Sequence, residues 1–258
     1  ELDVSLHDLM HTNIISVVPE EDQEEVARLS SKYDLSVVPV VSTKGVLIGI
    51  ITIDDIVHVL QEEHHEDMLL ISGVEGSERI GGPFMESIKK RTPWLLINLI
   101  TAFMASAVVG MFQSTIEQVV VLAVAMPIIT GMGGNSASQT LALAIQEIAL
   151  GQLSLEKDKK YVWNEIVLGC MNGLITGVVA AIALYIPYQN FYLSIIVVLA
   201  MAMNLMVGAI FGFFVPLVLK AMKLDPAISS TIFVTTATDV LGFFFFLGIA
   251  QVFLPLLI

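Results

Sequence analysis

Apolar residues are concentrated in the second part of the 258-residue chain, where they form five long segments. The segments cover about 93–113, 119–150, 162–187, 191–219 and 228–257. A helix needs about 20 mainly apolar residues to cross a bilayer, and each segment reaches that length. The pattern therefore predicts an all-α domain of five membrane-spanning helices over residues 91–258. Pro127 and Pro216 fall inside two of the segments, where kinks are expected.

The more polar first part of the chain has the pattern of a small domain of helices and strands. Residues 24–33 read as a helix, Val37–Val41 and residues 46–51 as strands, and residues 43–45 as the turn between them. Thr52 can cap the next helix, with Asp55 in the capping-box position. The sequence thus predicts an α+β chain: an α-β-β-α unit over residues 1–60, an acidic connecting helix and linker over 61–90, and the five-helix membrane domain.

Charge divides the chain at the same place. Residues 1–90 hold 18 of the 25 acidic residues and six of the 12 Lys and Arg, a net charge of −12, whereas residues 91–258 have a net charge of −1. Such an acidic head repels itself, and divalent cations bound by its carboxylates would relieve the repulsion. His58, His64 and His65 suggest zinc instead, but they lack a closed ligand set. No nucleic-acid partner is expected.

Basic residues near the predicted spans indicate the orientation. They lie before the first span, between the second and third, or between the fourth and fifth, at Lys89, Lys90, Arg91, Lys157, Lys159, Lys160, Lys220 and Lys223. With five spans all of them fall on one side of the membrane, which the positive-inside rule makes cytoplasmic. We therefore expect a cytoplasmic head and a C-terminus outside.

Other functional classes find little support in the sequence. No P-loop, His-Glu-x-x-His or Gly-x-Ser-x-Gly motif occurs, so an enzyme is not expected. The single cysteine, Cys170, lies in an apolar run and cannot form a disulfide within the chain. The chain starts at Glu1 without a signal-peptide pattern and is expected to be a fragment of a longer protein.

Two polar features lie inside the apolar segments. Asp239 interrupts the run 235–248, at a cost of about 2.5–3.5 kcal/mol for a charge within a bilayer, and no span contains a Lys or Arg to pair with it. We expect it to bind a cation, with an interhelical hydrogen bond or a structural ion pair as alternatives. Thr231 and Thr235 precede it on a similar helical face. The run 126–139 combines Asn135 with glycines that permit close helix packing or a break in the helix.

Together these features resemble the MgtE family of magnesium channels over essentially the whole chain. The motifs that carry the resemblance are Asp-Gln-Glu-Glu-Val-Ala-Arg-Leu at 22–29, Leu-Ile-Gly-Ile-Ile-Thr at 47–52, Pro-Ile-Ile-Thr-Gly-Met-Gly-Gly-Asn at 127–135, Asp-Pro-Ala at 225–227 and Thr-Asp at 238–239. The resemblance implies the second CBS module of a tandem pair, a connecting plug helix and a homodimeric five-span pore domain. The family's N-terminal helical domain and first CBS module are missing from this sequence.

The resemblance also implies a function. It indicates a Mg²⁺-selective channel of the bacterial inner membrane that carries magnesium into the cytoplasm down its electrochemical gradient. Asp239 would bind the ion, Thr231 and Thr235 would line the pore, and Asn135 would support it. Cytoplasmic Mg²⁺ would close the channel by binding carboxylates of the head and connecting helix, at Glu24, Asp34, Asp55, Glu63, Glu66 and Asp67. His58 stands where the family has an acidic residue, which puts one of these regulatory sites in doubt.

Alternatives remain at this point. An exchanger of the same fold, coupled to H⁺ or Na⁺, would need several titratable residues along its pathway, and only Asp239 is clearly mid-span. A sensor with a simple membrane anchor would not require five spans and an unpaired aspartate. Mn²⁺ and other divalent cations can use the same oxygen ligands. CBS modules often bind adenine nucleotides, so Thr52 and Asp55 are also predicted ATP contacts, with helix capping as the other explanation of this pair.

Overall fold

A two-stranded antiparallel sheet and its flanking helices form the first of the chain's two units. The structure, a computed structural model, describes Met10 and residues 14–74, 76, 78–149, 153, 159–228 and 230–258. The units are Glu1–Glu66 and Asp67–Ile258. The first contains α1 (Gln23–Tyr33), β1 (Val37–Val41) and β2 (Leu47–Thr52), followed by the start of α2 (Ile53–Ile71). This order confirms the predicted α-β-β-α arrangement.

A cap and a tight turn fix these elements. Asp22 accepts the backbone N–H of Glu24 at 3.0 Å, which satisfies one of the free N–H groups at the start of α1. Gly45 adopts φ 76° in the turn between the strands, a conformation that favours glycine. The second strand begins at Leu47 and not at residue 46 as predicted, and the Val46 N–H donates to the Ser42 hydroxyl at 3.1 Å.

The core of the first unit is small and leaves β2 partly uncovered. Its buried apolar residues are Val17, Val26, Ala27, Val38 and Ile56. On β2, by contrast, Leu47, Ile48 and Ile50 are 62%, 60% and 58% exposed. An apolar strand surface of this kind is normally covered by another element or another chain.

Helix α2 runs without interruption through the predicted boundary between the α-β-β-α unit and the connecting helix. That boundary was expected between residues 60 and 61, inside Ile53–Ile71. The division between the two units, after Glu66, also falls within this helix. The last helix of the sheet-containing unit and the connecting helix are therefore a single element.

Long helices make up most of the second unit. In chain order they are α3 (Phe84–Met111), α4 (Gln113–Gln118), α5 (Val121–Ala149), α6 (Lys159–Tyr188), α7 (Phe191–Ala221), α8 (Ser230–Val252) and α9 (Leu254–Leu257). Five of them, all except the short α4 and α9, are long and apolar enough to cross a membrane. The five predicted spans are thus confirmed as helices, and the connection after the first span contains the additional short helix α4.

Several helix boundaries differ from the prediction. The first span begins at Phe84 rather than near residue 93, because the polar residues before the apolar segment continue the same helix. The last ends at Val252 rather than near residue 257, since Pro255 has no N–H with which to extend it. Pro127 and Pro216 lie inside continuous helices, and the glycines at 131–134 do not break α5, so the broken-helix alternative is wrong.

Helix α7 is the most buried span and packs against α5, α6 and α8. On α6, Gly169, Gly173 and Gly177 recur at every fourth position and therefore share one face, which lies against α7. A Cβ added at Gly173 would lie 2.5 Å from the Cα of Ala202, and one at Gly169 would lie 2.8 Å from the Leu205 carbonyl oxygen. The absence of side chains at these positions brings the two backbones into contact.

Helix α5 approaches another face of α7 in the same way. A Cβ added at Gly208 would lie 2.9 Å from the carbonyl oxygen of Gly133. One added at Gly212 would lie 2.7 Å from the carbonyl oxygen of Ala137. Glycines on α6 and on α7 itself therefore set the distances between the central helix and two of its neighbours.

We expect Gly173→Ala to destabilise the membrane domain, because its methyl group would overlap the α7 backbone. Overpacking of this kind costs about 1–3 kcal/mol, more than the roughly 1 kcal/mol that alanine gains over glycine in a helix. Thermal unfolding in detergent measures the change. Gly110→Ala is the matched control, since a Cβ there meets no atom of the described residues within 4 Å. Equal melting temperatures for the two variants would contradict this account of the α6–α7 contact.

An ion pair holds the segment before α3. The Glu78 side chain, only 5% exposed, accepts hydrogen bonds from Arg91 at 2.8 Å (Nη2) and 3.2 Å (Nε). Hydrogen bonds from Ser87 and from Arg91 lower the pKa of Glu78 from its usual value of 4.5. Because the pKa of Glu78 is lower in the folded state, its ionised carboxylate stabilises the fold fully above the unfolded-state pKa of about 4.5. This contribution is lost as the pH falls through the pKa of the folded state.

Glu78→Gln should therefore lower the melting temperature at neutral pH. The difference from the unsubstituted protein should shrink as the pH falls below about 4.5, when the native carboxylate becomes protonated as well. Melting curves over a range of pH test this expectation. Glu86→Gln is the control, because the Glu86–Lys90 pair is more exposed and contributes little. A deficit of the same size at every pH would show that the charge of Glu78 is not what stabilises this contact.

Candidate functional site

Asp239 lies near the middle of α8 and is half-buried. Within the described part of the chain, its carboxylate receives no hydrogen bond and forms no ion pair. The alternatives to cation binding, an interhelical hydrogen bond or a structural ion pair, are thus not found among these residues. A carboxylate without a partner inside an apolar helix has an uncompensated desolvation cost, which a bound cation would offset.

Threonines surround Asp239 on the same helix, and their hydroxyls bond to the helix itself. Thr235 donates to the Thr231 carbonyl at 2.8 Å, Thr236 to the Ile232 carbonyl at 2.6 Å, and Thr238 to the Thr235 carbonyl at 2.9 Å. Thr238 is fully buried, whereas Thr235 is half-buried one turn before Asp239. The structure therefore gives Thr235 a position consistent with its predicted place beside the ion site.

Thr231 has a contact that the sequence did not predict. Its hydroxyl donates to the carbonyl oxygen of Ile71, the last residue of α2, at 2.5 Å. A Cβ added at Gly73, just beyond this helix, would lie 3.5 Å from the Ile232 Cδ1 atom. The end of α2 thus lies directly against the first turn of α8.

The glycine-rich run of α5 lies beside the same part of α8. A Cβ added at Gly134 would lie 3.8 Å from the Cγ2 atom of Thr235. Asn135, the next residue, is exposed on the surface of the single chain. The structure therefore brings the run that contains Asn135 next to Thr235, while Asn135 itself forms no hydrogen bond with Asp239.

Sequence reasoning missed a further polar residue of this region, Asn204 on α7. It is completely buried, and its Nδ2 donates to the Ile129 carbonyl of α5 at 2.8 Å. Two glycines leave the space for this side chain. A Cβ added at Gly133 of α5 would lie 2.1 Å from Asn204 Nδ2, and one added at Gly242 of α8 would lie 2.7 Å from Asn204 Oδ1. The signal was available, since Asn204 is the one amide in the otherwise apolar run 195–219.

In the first unit, Thr52 and Asp55 bond to each other. The Thr52 N–H donates to Asp55 Oδ2 at 3.3 Å, which is one half of the predicted capping box, and the Thr52 hydroxyl donates to the same oxygen at 2.8 Å. The other half, a backbone N–H donated to the Thr52 hydroxyl, is not found among the described residues. Nucleotide binding by this pair stays a prediction.

The predicted regulatory carboxylates lie along α1 and α2. Asp34 ends α1 in a left-handed conformation with φ 51°, and Glu63 accepts a hydrogen bond from Gln23 at 2.8 Å. Glu24, Asp34, Asp55 and Glu66 are exposed, whereas Glu63 and Asp67 are half-buried. Among the described residues, no three His, Cys, Asp or Glu side chains are grouped so as to hold a metal. Regulatory metal binding at these positions stays a prediction.

Two family models match the chain. The model of MgtE, described as a divalent cation transporter, matches residues 126–249, which include both the glycine-rich run of α5 and Asp239. A model of the CBS domain matches residues 6–62, which include α1, both strands and the first part of α2. Both matches confirm the resemblance found in the motifs.

Curated relatives from three bacteria, each named magnesium transporter MgtE, are similar over almost the whole chain. The protein of Bacillus subtilis is 32% identical over 254 residues, that of Enterococcus faecalis 30% over 255, and that of Thermus thermophilus 30% over 250. The matches cover 98%, 98% and 96% of this chain and 56%, 55% and 55% of the relatives.

The chain thus spans just over half the length of the curated relatives it matches. These proteins are transporters and not enzymes, in agreement with the absence of catalytic motifs. The five apolar helices match the membrane location that transport requires. The chain is therefore an integral membrane protein that combines a CBS domain with a domain of the MgtE divalent cation transporter family.

Proposed function

We propose that the chain forms a Mg²⁺-selective channel that carries magnesium into the cytoplasm down its electrochemical gradient, with Asp239 as the ion site. The observation that carries the proposal is the half-buried carboxylate in the middle of α8, for which the described residues supply no partner. The name magnesium transporter, given to all three relatives, supports the choice of ion. Mn²⁺ and other divalent cations that prefer oxygen ligands are further candidates.

A homodimer completes the proposed site. Mg²⁺ loses its water reluctantly and is usually held by one or two carboxylates while it keeps several waters. One chain supplies a single carboxylate at Asp239, and a two-fold axis beside α8 would bring two across the pore. The exposure of Asn135 supports a second copy, because lipid does not satisfy an amide at membrane depth.

A channel fits the helices better than a coupled exchanger does. Exchange of Mg²⁺ for H⁺ or Na⁺ needs groups that change protonation or ligation along the pathway. Asp239 is the single charged residue of α8, and α7 has only Lys220 in its last turn. The positions of the basic residues favour a cytoplasmic head and an outside C-terminus in the bacterial cytoplasmic membrane.

We further propose that cytoplasmic Mg²⁺ closes the channel through the acidic head and α2. The head has a net charge of −12 over residues 1–90, and cations bound there would favour the more compact arrangement by their higher affinity for it. The hydrogen bond from Thr231 to the last residue of α2 supports a route to the pore helix. A change in the position of α2 would act directly on the first turn of α8.

Asp239→Asn should reduce Mg²⁺ flux into liposomes by roughly 10- to 100-fold, since the charge-assisted hydrogen bond between the carboxylate and a water of the hydrated ion, worth about 1.5–3 kcal/mol, is lost. The assay uses an imposed Mg²⁺ gradient, with and without H⁺ or Na⁺ gradients. Glu117→Gln, which removes the same charge from α4, is the control and should keep its flux. Unchanged flux in Asp239→Asn would exclude it as the ion site, and transport that needs a counter-ion gradient would favour the exchanger.

Neutralising part of the predicted regulatory set should keep the channel open at high internal Mg²⁺. The test protein combines Glu63→Gln, Glu66→Gln and Asp67→Asn, and the control combines Glu20→Gln, Glu21→Gln and Glu62→Gln. Both lose the same charge, but the control changes exposed acids outside the predicted set. Flux is measured as internal Mg²⁺ is raised, and inhibition should weaken only in the test protein. Equal inhibition in both would contradict closure through these carboxylates.

A further inference from the structure

Asn204 lies where α5, α7 and α8 meet. It projects from α7, bonds to the backbone of α5 at Ile129 and fills the space beside Gly133 of α5 and Gly242 of α8. An alanine at either glycine would overlap the amide, at 2.1 Å from Nδ2 or 2.7 Å from Oδ1. Three helices therefore fix the position of this one side chain.

Stability does not explain an amide at this place. Its Nδ2 is bonded, but its Oδ1 is buried and has no hydrogen-bond partner among the described residues. A buried polar atom without a partner is unfavourable, more so in a domain surrounded by lipid. An apolar side chain of similar volume would fill the same space without that cost. The amide is thus expected to serve a purpose other than the free energy of folding.

Asn204 joins the helix that carries Asp239, α8, to the helix whose Gly134 lies against Thr235, α5. Gly242 lies three residues after Asp239, which is about one helical turn. Ile129 and Gly133 belong to the run whose Gly134 lies against Thr235, one turn before Asp239. A side chain fixed between Gly133 and Gly242 therefore determines how far the Asp239 region of α8 stands from α5.

We propose that Asn204 is a positioning residue that sets the width of the ion pathway at Asp239 and with it the preference for Mg²⁺ over the larger Ca²⁺. The inference rests on the proposed function, since it assumes that ions pass Asp239. Mg²⁺ demands a near-ideal octahedral shell, whereas Ca²⁺ accepts longer and more irregular coordination. A pathway held at a fixed width therefore favours Mg²⁺, and a pathway whose helices can move relative to each other loses that preference.

The test measures Mg²⁺ and Ca²⁺ flux separately in liposomes containing the purified, folded protein. Asn204→Leu should lower the ratio of Mg²⁺ to Ca²⁺ flux by roughly tenfold, because small displacements of positioned groups have effects of this size or larger. Asp239→Asn in the same assay should lower both fluxes. Leu205→Ala is the matched control: it alters a neighbouring buried residue of α7 and should lower the melting temperature without changing the ratio.

A second set of variants changes Gly242, the residue of α8 that lies against the Asn204 amide. Gly242→Ala should lower the flux ratio and the melting temperature, because the added methyl group overlaps Oδ1. Combining it with Asn204→Ala removes the overlap, so the melting temperature should recover while the flux ratio stays low. This separation of selectivity from stability would not arise if Asn204 only filled space. It also provides a test if Asn204→Leu does not fold.

An unchanged ratio in both Asn204→Leu and the double variant would overturn the inference, as would an equal change in Leu205→Ala. Failure of the proposed function gives a different result, since Asp239→Asn would then leave Mg²⁺ flux intact. The two failures are therefore distinguishable in one series of measurements.

Discussion

The close approach of backbones around α7 is the constraint on which the membrane domain depends. In lipid the hydrophobic effect does not bring helices together, so association relies on van der Waals contact and hydrogen bonds, which weaken rapidly with distance. Gly169, Gly173 and Gly177 remove side chains between α6 and α7, and Gly208 and Gly212 do the same between α7 and α5. Helix α8 packs against α5 and α7, so their separation determines where Asp239 lies.

Several polar groups inside this domain are bonded within it, whereas two groups near the candidate ion site are not. The threonine hydroxyls of α8 bond to carbonyls of their own helix, and Asn204 Nδ2 bonds to α5. Among the described residues, the Asp239 carboxylate and Asn204 Oδ1 have no such bond. Both belong to the region where α5 and α8 meet. Two unsatisfied polar groups thus lie in the part of the membrane domain to which we assign ion passage.

Local patterns predicted the elements well but not the contacts between them. Strands, spans and the isolated Asp239 follow from short-range composition, and the Thr52–Asp55 cap from adjacent residues. The partner of Thr231 could not be predicted, because Ile71 is 160 residues away and contributes a carbonyl group that every residue has. The glycines at 131–134 left packing and helix breakage open, since only the position of Asn204 shows why Gly133 has no side chain. Pro255, in contrast, is a local signal for the end of α8, but the apolar residues around it led to a predicted end near residue 257.

The hydrogen bonds of Thr231 and Thr235 have a consequence for the sign of the ion. Each hydroxyl hydrogen is already used, in bonds to Ile71 and Thr231, so each oxygen can only accept further hydrogen bonds. A water bound to a cation points both of its hydrogens outward, whereas a water bound to an anion directs one hydrogen at the ion and has only one left to donate. In the proposed pore these two threonines can therefore accept hydrogen bonds from the hydration shell of a cation, but they have no hydrogen to offer to the water oxygens that surround an anion. The direction of these hydrogen bonds thus favours a hydrated cation before the charge of Asp239 is considered.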